Sequence, residues 1–106
     1  MPKYLFKASF ALDGIRGVKA KGGSARREAL EEAARSVGGS LESLYFAFGD
    51  DDLYVTADLP DNKAAMALSL SVCSGGGGRA KTVVLLTPEE VDAAAAQDVR
   101  YRPPGA

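Results

Sequence analysis

The chain has 106 residues, 46% hydrophobic and 25% charged, the length and balance expected of one ordinary soluble domain. Thirteen Lys and Arg against fourteen Asp and Glu leave a formal charge of -1, so the basic excess of a general nucleic-acid binder is missing. The absence of a long apolar run argues against a membrane span. Histidine is absent and cysteine occurs once, which excludes Ser-His-Asp and Cys-His nucleophiles, His-ligated zinc or haem, and an intrachain disulfide.

Lys3 to Phe10 opens the chain as a strand, with Tyr4, Phe6, Ala8 and Phe10 on one face and Leu5, Lys7 and Ser9 on the other. This alternation replaces the apolar stretch of a signal peptide, and with the lone Cys73 it predicts a cytoplasmic protein. Leu12-Asp13-Gly14-Ile15 predicts a short helical turn capped by Asp13. After Gly22-Gly23, Ser24 is positioned to cap a helix from about Ala25 to Val37. Leu30, Ala33, Ala34 and Val37 form its apolar stripe, and Arg27–Glu31 and Glu31–Arg35 are i,i+4 pairs. Gly38-Gly39 supplies its left-handed stop.

Ser40 to Phe48 reads as the second strand, with Leu41, Ser43, Tyr45 and Ala47 opposite Glu42, Leu44, Phe46 and Phe48. Gly49-Asp50-Asp51-Asp52 is a turn into a third strand from Leu53 to Leu59, the two strands forming an antiparallel hairpin. Asp61 caps a second helix through about Ser74, striped by Ala65, Leu68 and Val72. Gly75 to Gly78 predicts a flexible connection, and Arg79 to Leu86 a fourth strand. Thr87-Pro88-Glu89-Glu90 is a capping box that starts a helix through Gln97.

The order β-α-β-β-α-β predicts an α+β fold of the ferredoxin-like kind: a four-stranded antiparallel sheet with helices on one face. A single domain over 1–98 and an extended, Pro-rich tail over 99–106 are expected. Strands two and four carry apolar residues on both faces. A chain this short buries only roughly 60–65% of the surface its unfolded form exposes. Together these predict that the open face meets a second copy, as in a dimeric α+β barrel. The alternative is cover from the chain's own C-terminal helix and tail.

The segments Tyr4-Leu5-Phe6-Lys7, Ser24 to Glu28, Val37-Gly38-Gly39, Leu44 to Gly49 and Asp58-Leu59-Pro60-Asp61 resemble the GYD domain family. The likeness runs from about Tyr4 to the Thr87–Glu90 cap, with a typical Tyr101 to Gly105 ending. It implies a small bacterial ferredoxin-like protein and carries no established activity. Where relatives have Gly-x-Tyr-Asp, this chain has Gly49-Asp50-Asp51-Asp52. Asp51 stands in the tyrosine's place, so no role of that tyrosine transfers.

Five groups of residues carry candidate chemistry. Arg16, Lys19, Lys21, Arg26 and Arg27 surround Gly22-Gly23, where guanidinium forks and free N–H groups suit a phosphate or carboxylate; otherwise they form a charged helix surface. Asp50, Asp51 and Asp52 with Asp58 and Asp61 lack EF-hand spacing and read as a solvated turn, so no metal site is expected. Gly75–Gly78 before Arg79 and Lys81 reads as a linker before an anion nest. Cys73 reads as a buried small hydrophobe. Tyr4, Tyr45 and Tyr54 with Asp58 and Lys7 either line a cavity between sheet and helices or pack with wet hydroxyls.

The expected function is self-association as a homodimer or larger homo-oligomer. A small ligand at or near the interface is expected to meet Arg26, Arg27, Lys7, Tyr45, Tyr54 or Asp58, with no cofactor, nucleic acid or membrane partner and no catalytic residue assigned. The alternative is a dimeric α+β barrel enzyme, a cofactor-free monooxygenase or isomerase acting on a small apolar substrate. It requires an enclosed cavity of at least ~300 Å³ containing Tyr45, Tyr54 or Asp58. A third reading has the Arg100–Ala106 tail docking on a partner or neighbouring subunit.

Overall fold

In the computed structural model, which describes residues 1–105, β1 (Lys3–Phe10) has the predicted bounds and faces. The expected helical turn is a full ten-residue helix, α1 (Leu12–Lys21), with Asp13 in its first turn and no side-chain cap. Next, α2 (Gly23–Ser36) starts directly from Gly22 at φ 87°, so Ser24 lies inside the helix and does not cap it. Ala34 is buried, Leu30 and Val37 pack beside it, and Gly38 at φ 85° makes the predicted stop. Asp61 caps α3 (Asn62–Ser74) by accepting from the Ala64 N–H at 2.9 Å. Cys73 is exposed, contrary to expectation. It lies one residue past the Ala65–Leu68–Val72 stripe, and 100° of helical rotation carries it into solvent.

Four strands form one antiparallel sheet in the order β2-β3-β1-β4, with β2 (Ser40–Phe46), β3 (Leu53–Asp58) and β4 (Gly78–Leu85). The faces of β1 and β3 follow strict alternation, but β2 does not. A bulge between Leu41 and Ser43 puts Leu41 opposite Ala57 and Leu44 opposite Val55, so both leucines pack on the core. The expected separation of Leu41 from Leu44 is therefore wrong, and the far face of β2 is less apolar than alternation predicts. The core beneath the helices is built from Tyr4, Phe6, Ala8, Leu53, Val55 and Ala57 of the sheet, with Leu59, Ala64 and Ala65. The buried Tyr4 hydroxyl donates to Asn62 Oδ1 at 2.6 Å, which pins the start of α3 to β1.

The tetraglycine run is a packing surface where a loose link was expected. Gly75 ends α3, Gly78 already belongs to β4, and the Ala11 N–H donates to Gly77 O at 3.0 Å. Gly14 of α1 lies so close that a β-carbon there would sit 1.9 Å from Gly77 O. Only a bare backbone at Gly14 permits this approach, whereas a β-carbon on Gly77 would make an ordinary 3.8 Å contact with the Gly14 Cα.

The C-terminal helix α4 (Pro88–Ala95) has the full capping box and Pro at its start, yet buries no residue. Every described residue from Leu86 onward is exposed. The chain measures 58 × 32 × 23 Å with a radius of gyration of 16.9 Å, against about 13 Å for a compact chain of this length. The excess reflects an arm that leaves the body after β4 and does not cover its own sheet. Ala106, the last residue of the expected tail, lies outside the described residues.

Candidate functional site

The sheet has two faces with different chemistry. On the open face, β1 contributes Lys3, Leu5, Lys7 and Ser9. Register places Lys7 between Tyr54 of β3 and Lys81 of β4, and Tyr45 opposite Tyr54. At one end, Lys3 pairs with both Glu42 and Asp58, the latter at 2.9 Å. The hydrogen bond with Glu42, followed by that with Asp58, holds the Lys3 ammonium above its usual 10.5. Lys3 and then Thr56 hold the Glu42 carboxyl below its usual 4.5.

At the other end sits Asp51, 3% exposed. It accepts from Ser9 Oγ at 3.2 Å and pairs with Lys81 at 3.2 Å. Burial pushes its carboxyl up, but the bonds from Lys81 and Ser9 and the charges of Lys81 and Lys7 outweigh it, leaving it below 3.8. Lys7 and Lys81 stand directly opposite each other, a like-charge pairing that is unfavourable alone. Asp51 supplies the compensating negative charge. Neighbouring Asp52 accepts from the Phe10 N–H at 2.9 Å and donates its own N–H to Ala8 O at 2.9 Å. The expected solvated Asp turn is thus corrected: Asp51 and Asp52 tie the hairpin to the end of β1. Ser9 on the neighbouring strand β1 and Lys81 on β4 beyond it pair with this carboxylate, a contact that local sequence does not signal.

On the helix face, a cleft separates α2 from α3. Its inner chamber, about 50 Å³, is lined by Phe6, Leu30, Leu41, Val55, Leu68 and Val72, with Arg26 as its charged residue. Two wider spaces of about 290 and 490 Å³ adjoin it at Arg26, which lines both, and Lys21 lines the larger. The buried Arg26 Nε has no hydrogen-bond partner. Arg27, one residue on, pairs outward with Glu31 at 3.8 Å.

The six expected ligand residues therefore fall in three places. Lys7, Tyr45, Tyr54 and Asp58 share the open face, Arg26 lines the cleft on the opposite face, and Arg27 points to solvent. The expected cavity between sheet and helices does not contain Tyr45, Tyr54 or Asp58, because strand alternation sends them to the other side. Tyr4 is on the helix face but serves packing and the Asn62 bond. The apolar chamber on that side holds about 50 Å³, and none of Tyr45, Tyr54 and Asp58 lines it.

A third surface lies beyond the end of β1. A groove of about 370 Å³ is lined by Phe10, Ile15, Val18, Phe46 and Phe48, with Lys19 beside them. The Phe10 and Phe46 rings stack at 6.3 Å, and Phe48 stands free in solvent.

The GYD domain family model matches residues 4–95, nearly all of β1 through α4. The chain belongs to the GYD domain family. Comparison with curated proteins and with solved structures returns no match. In this GYD domain, no helix among the described residues is long and apolar enough to cross a membrane. At the position where the resemblance sets the family's tyrosine, Asp51 carries the buried carboxylate between Ser9 and Lys81.

Proposed function

We propose that this GYD domain is a self-associating module. Two ferredoxin-like sheets pack by their open faces, as in a dimeric α+β barrel, and each C-terminal arm seats on the partner. One observation carries this reading: α4 is only eight residues long and buries nothing on its own chain. A helix that short is not stable alone in water, even with good caps. It therefore needs a surface, and its Val91, Ala94 and Ala95 form an apolar stripe at helical spacing.

The groove beyond β1 has the complementary character. Its Ile15, Val18, Phe46 and Phe48 are apolar, and Lys19 among its lining residues offers a positive charge to Glu89, Glu90 or Asp92 of α4, beside the groove's own Asp52. The arm leaves β4 beside Lys3, whereas the groove lies at Phe10. These are opposite ends of β1, roughly 25 Å apart at strand rise. A two-fold axis perpendicular to the strands brings the partner's groove to the arm's origin.

Cysteine cross-linking tests the exchange. With Cys73→Ser throughout, a chain carrying Val91→Cys is mixed with one carrying Ile15→Cys and oxidised. The expected product is a disulfide-linked pair of unlike chains at a yield independent of dilution below the free-chain range. No mixed product, together with an intrachain bond when both cysteines occupy one chain, would show an arm that folds back on itself.

A further inference from the structure

Arg26 stands out as a charged group that the fold does not use. Its Nε is buried without an acceptor, and an unpaired buried donor costs roughly 1–3 kcal/mol. Arg27 beside it has Glu31, while no carboxylate within salt-bridge reach answers Arg26 among the described residues. The same side chain borders an apolar chamber of about 50 Å³ and both wider spaces leading to solvent. A chamber walled by Phe6, Leu30, Val55 and Leu68, with polar groups only from Arg26 and Ser69 among its lining, offers water few partners. The chain thus leaves unfilled an apolar hole and, at its edge, a planar donor fork.

We propose that the cleft between α2 and α3 binds a small monocarboxylate with a short apolar tail. The carboxylate lies side-on against Arg26, taking the Nε–H and one terminal N–H in the paired geometry that guanidinium favours. The tail enters the chamber and replaces the missing contacts of its lining. Lys21 borders the outer space and adds positive potential at the entrance. Asp13 borders the same space, which disfavours a doubly charged head and selects a single carboxylate over a phosphate monoester. This site lies on the helix face and stands independently of the proposed association through the open face.

Titration calorimetry with the whole chain tests the proposal, using straight-chain carboxylates from acetate to octanoate, the matching primary alcohols and inorganic phosphate. The carboxylates are expected to bind one per chain. Affinity rises roughly fourfold per methylene until the chamber is full and then levels off. Alcohols and phosphate bind at least tenfold more weakly than the best carboxylate. Arg26→Met abolishes carboxylate binding yet leaves the thermal midpoint of the free protein unchanged or higher, because it removes an unpaired donor. A structural arginine would instead lower that midpoint. Arg26→Lys keeps the charge and retains weakened binding, which covers the case in which Arg26→Met does not fold.

Absence of saturable binding, binding unaffected by either substitution, or affinity independent of chain length would each overturn the assignment. Sedimentation of the same samples separates the two proposals. A monomer that binds carboxylate defeats self-association alone, and an oligomer that binds none defeats this site alone.

Discussion

The Asp51 carboxylate, almost fully buried, lies 3.2 Å from Lys81 Nζ, on a lysine that is itself mostly in solvent. The pair connects the β2–β3 turn to β4 across β1, and Ser9 of β1 completes the bridge. Three separate stretches of chain meet through one acid, with Lys7 of β1 adding its charge.

Acid stability follows from that arrangement. The folded-state carboxyl of Asp51 lies below its usual 3.8, so its contribution is fully present above that value and is lost as pH falls through the folded one. Urea unfolding midpoints from neutral pH downward are expected to show Asp51→Asn less stable than the parent at neutral pH. The difference between the two should shrink below pH 3.8. A constant gap across the range would mean that the ion pair contributes nothing.

Core truncations are expected to rank by burial. Leu59 is completely enclosed, and Leu59→Ala should cost roughly 2–5 kcal/mol of unfolding free energy. Tyr4→Phe keeps the ring and removes only the bond to Asn62, for a loss of about 1 kcal/mol. Denaturant titration checks both, and equal losses would contradict the packing described.

Two glycines of α1 should respond in opposite directions. A β-carbon on Gly14 meets Gly77 O at 1.9 Å, while one on Gly17 meets nothing within 4 Å. Gly14→Ala should displace α1 and speed hydrogen exchange at the Ala11 and Ile15 amides, which donate to Gly77 O and Ala11 O. Gly17→Ala should stabilise by roughly 0.5–1 kcal/mol as an ordinary helix substitution.

The capping box has a consequence for assembly. In α4, the Thr87 hydroxyl accepts from the Glu90 N–H at 3.1 Å and Glu90 accepts from the Thr87 N–H at 3.0 Å. Thr87→Ala removes about 1 kcal/mol of helix stability. If α4 docks on a partner, dimer dissociation should rise roughly fivefold while unfolding of the body is unchanged. A shift in body unfolding instead would place α4 on its own chain.

Much of this architecture is legible from residue order. Strict alternation in β1 and β3 gives their faces, and Asp61 and Thr87–Glu90 mark two helix starts directly. The β2 bulge is not legible, because an extra residue at Glu42 leaves no mark in a pattern where both parities carry leucine or phenylalanine. The length of α1 is obscured by Gly14 and Gly17, whose low helix propensity is overridden by packing on the tetraglycine backbone. For the candidate sites, Arg26 and Arg27 look equivalent in sequence, and only the 100° step between them sends one into the cleft and the other to Glu31. Lys7, Tyr45, Tyr54 and Asp58 share a face as alternation implies, but it is the face away from the helices.

Self-association is tested most directly by sedimentation velocity of the whole chain across micromolar concentrations, beside a chain ending at Leu86. The account predicts a dimer or larger assembly for the whole chain and a marked weakening without the arm. A whole chain that sediments as a monomer throughout would contradict it.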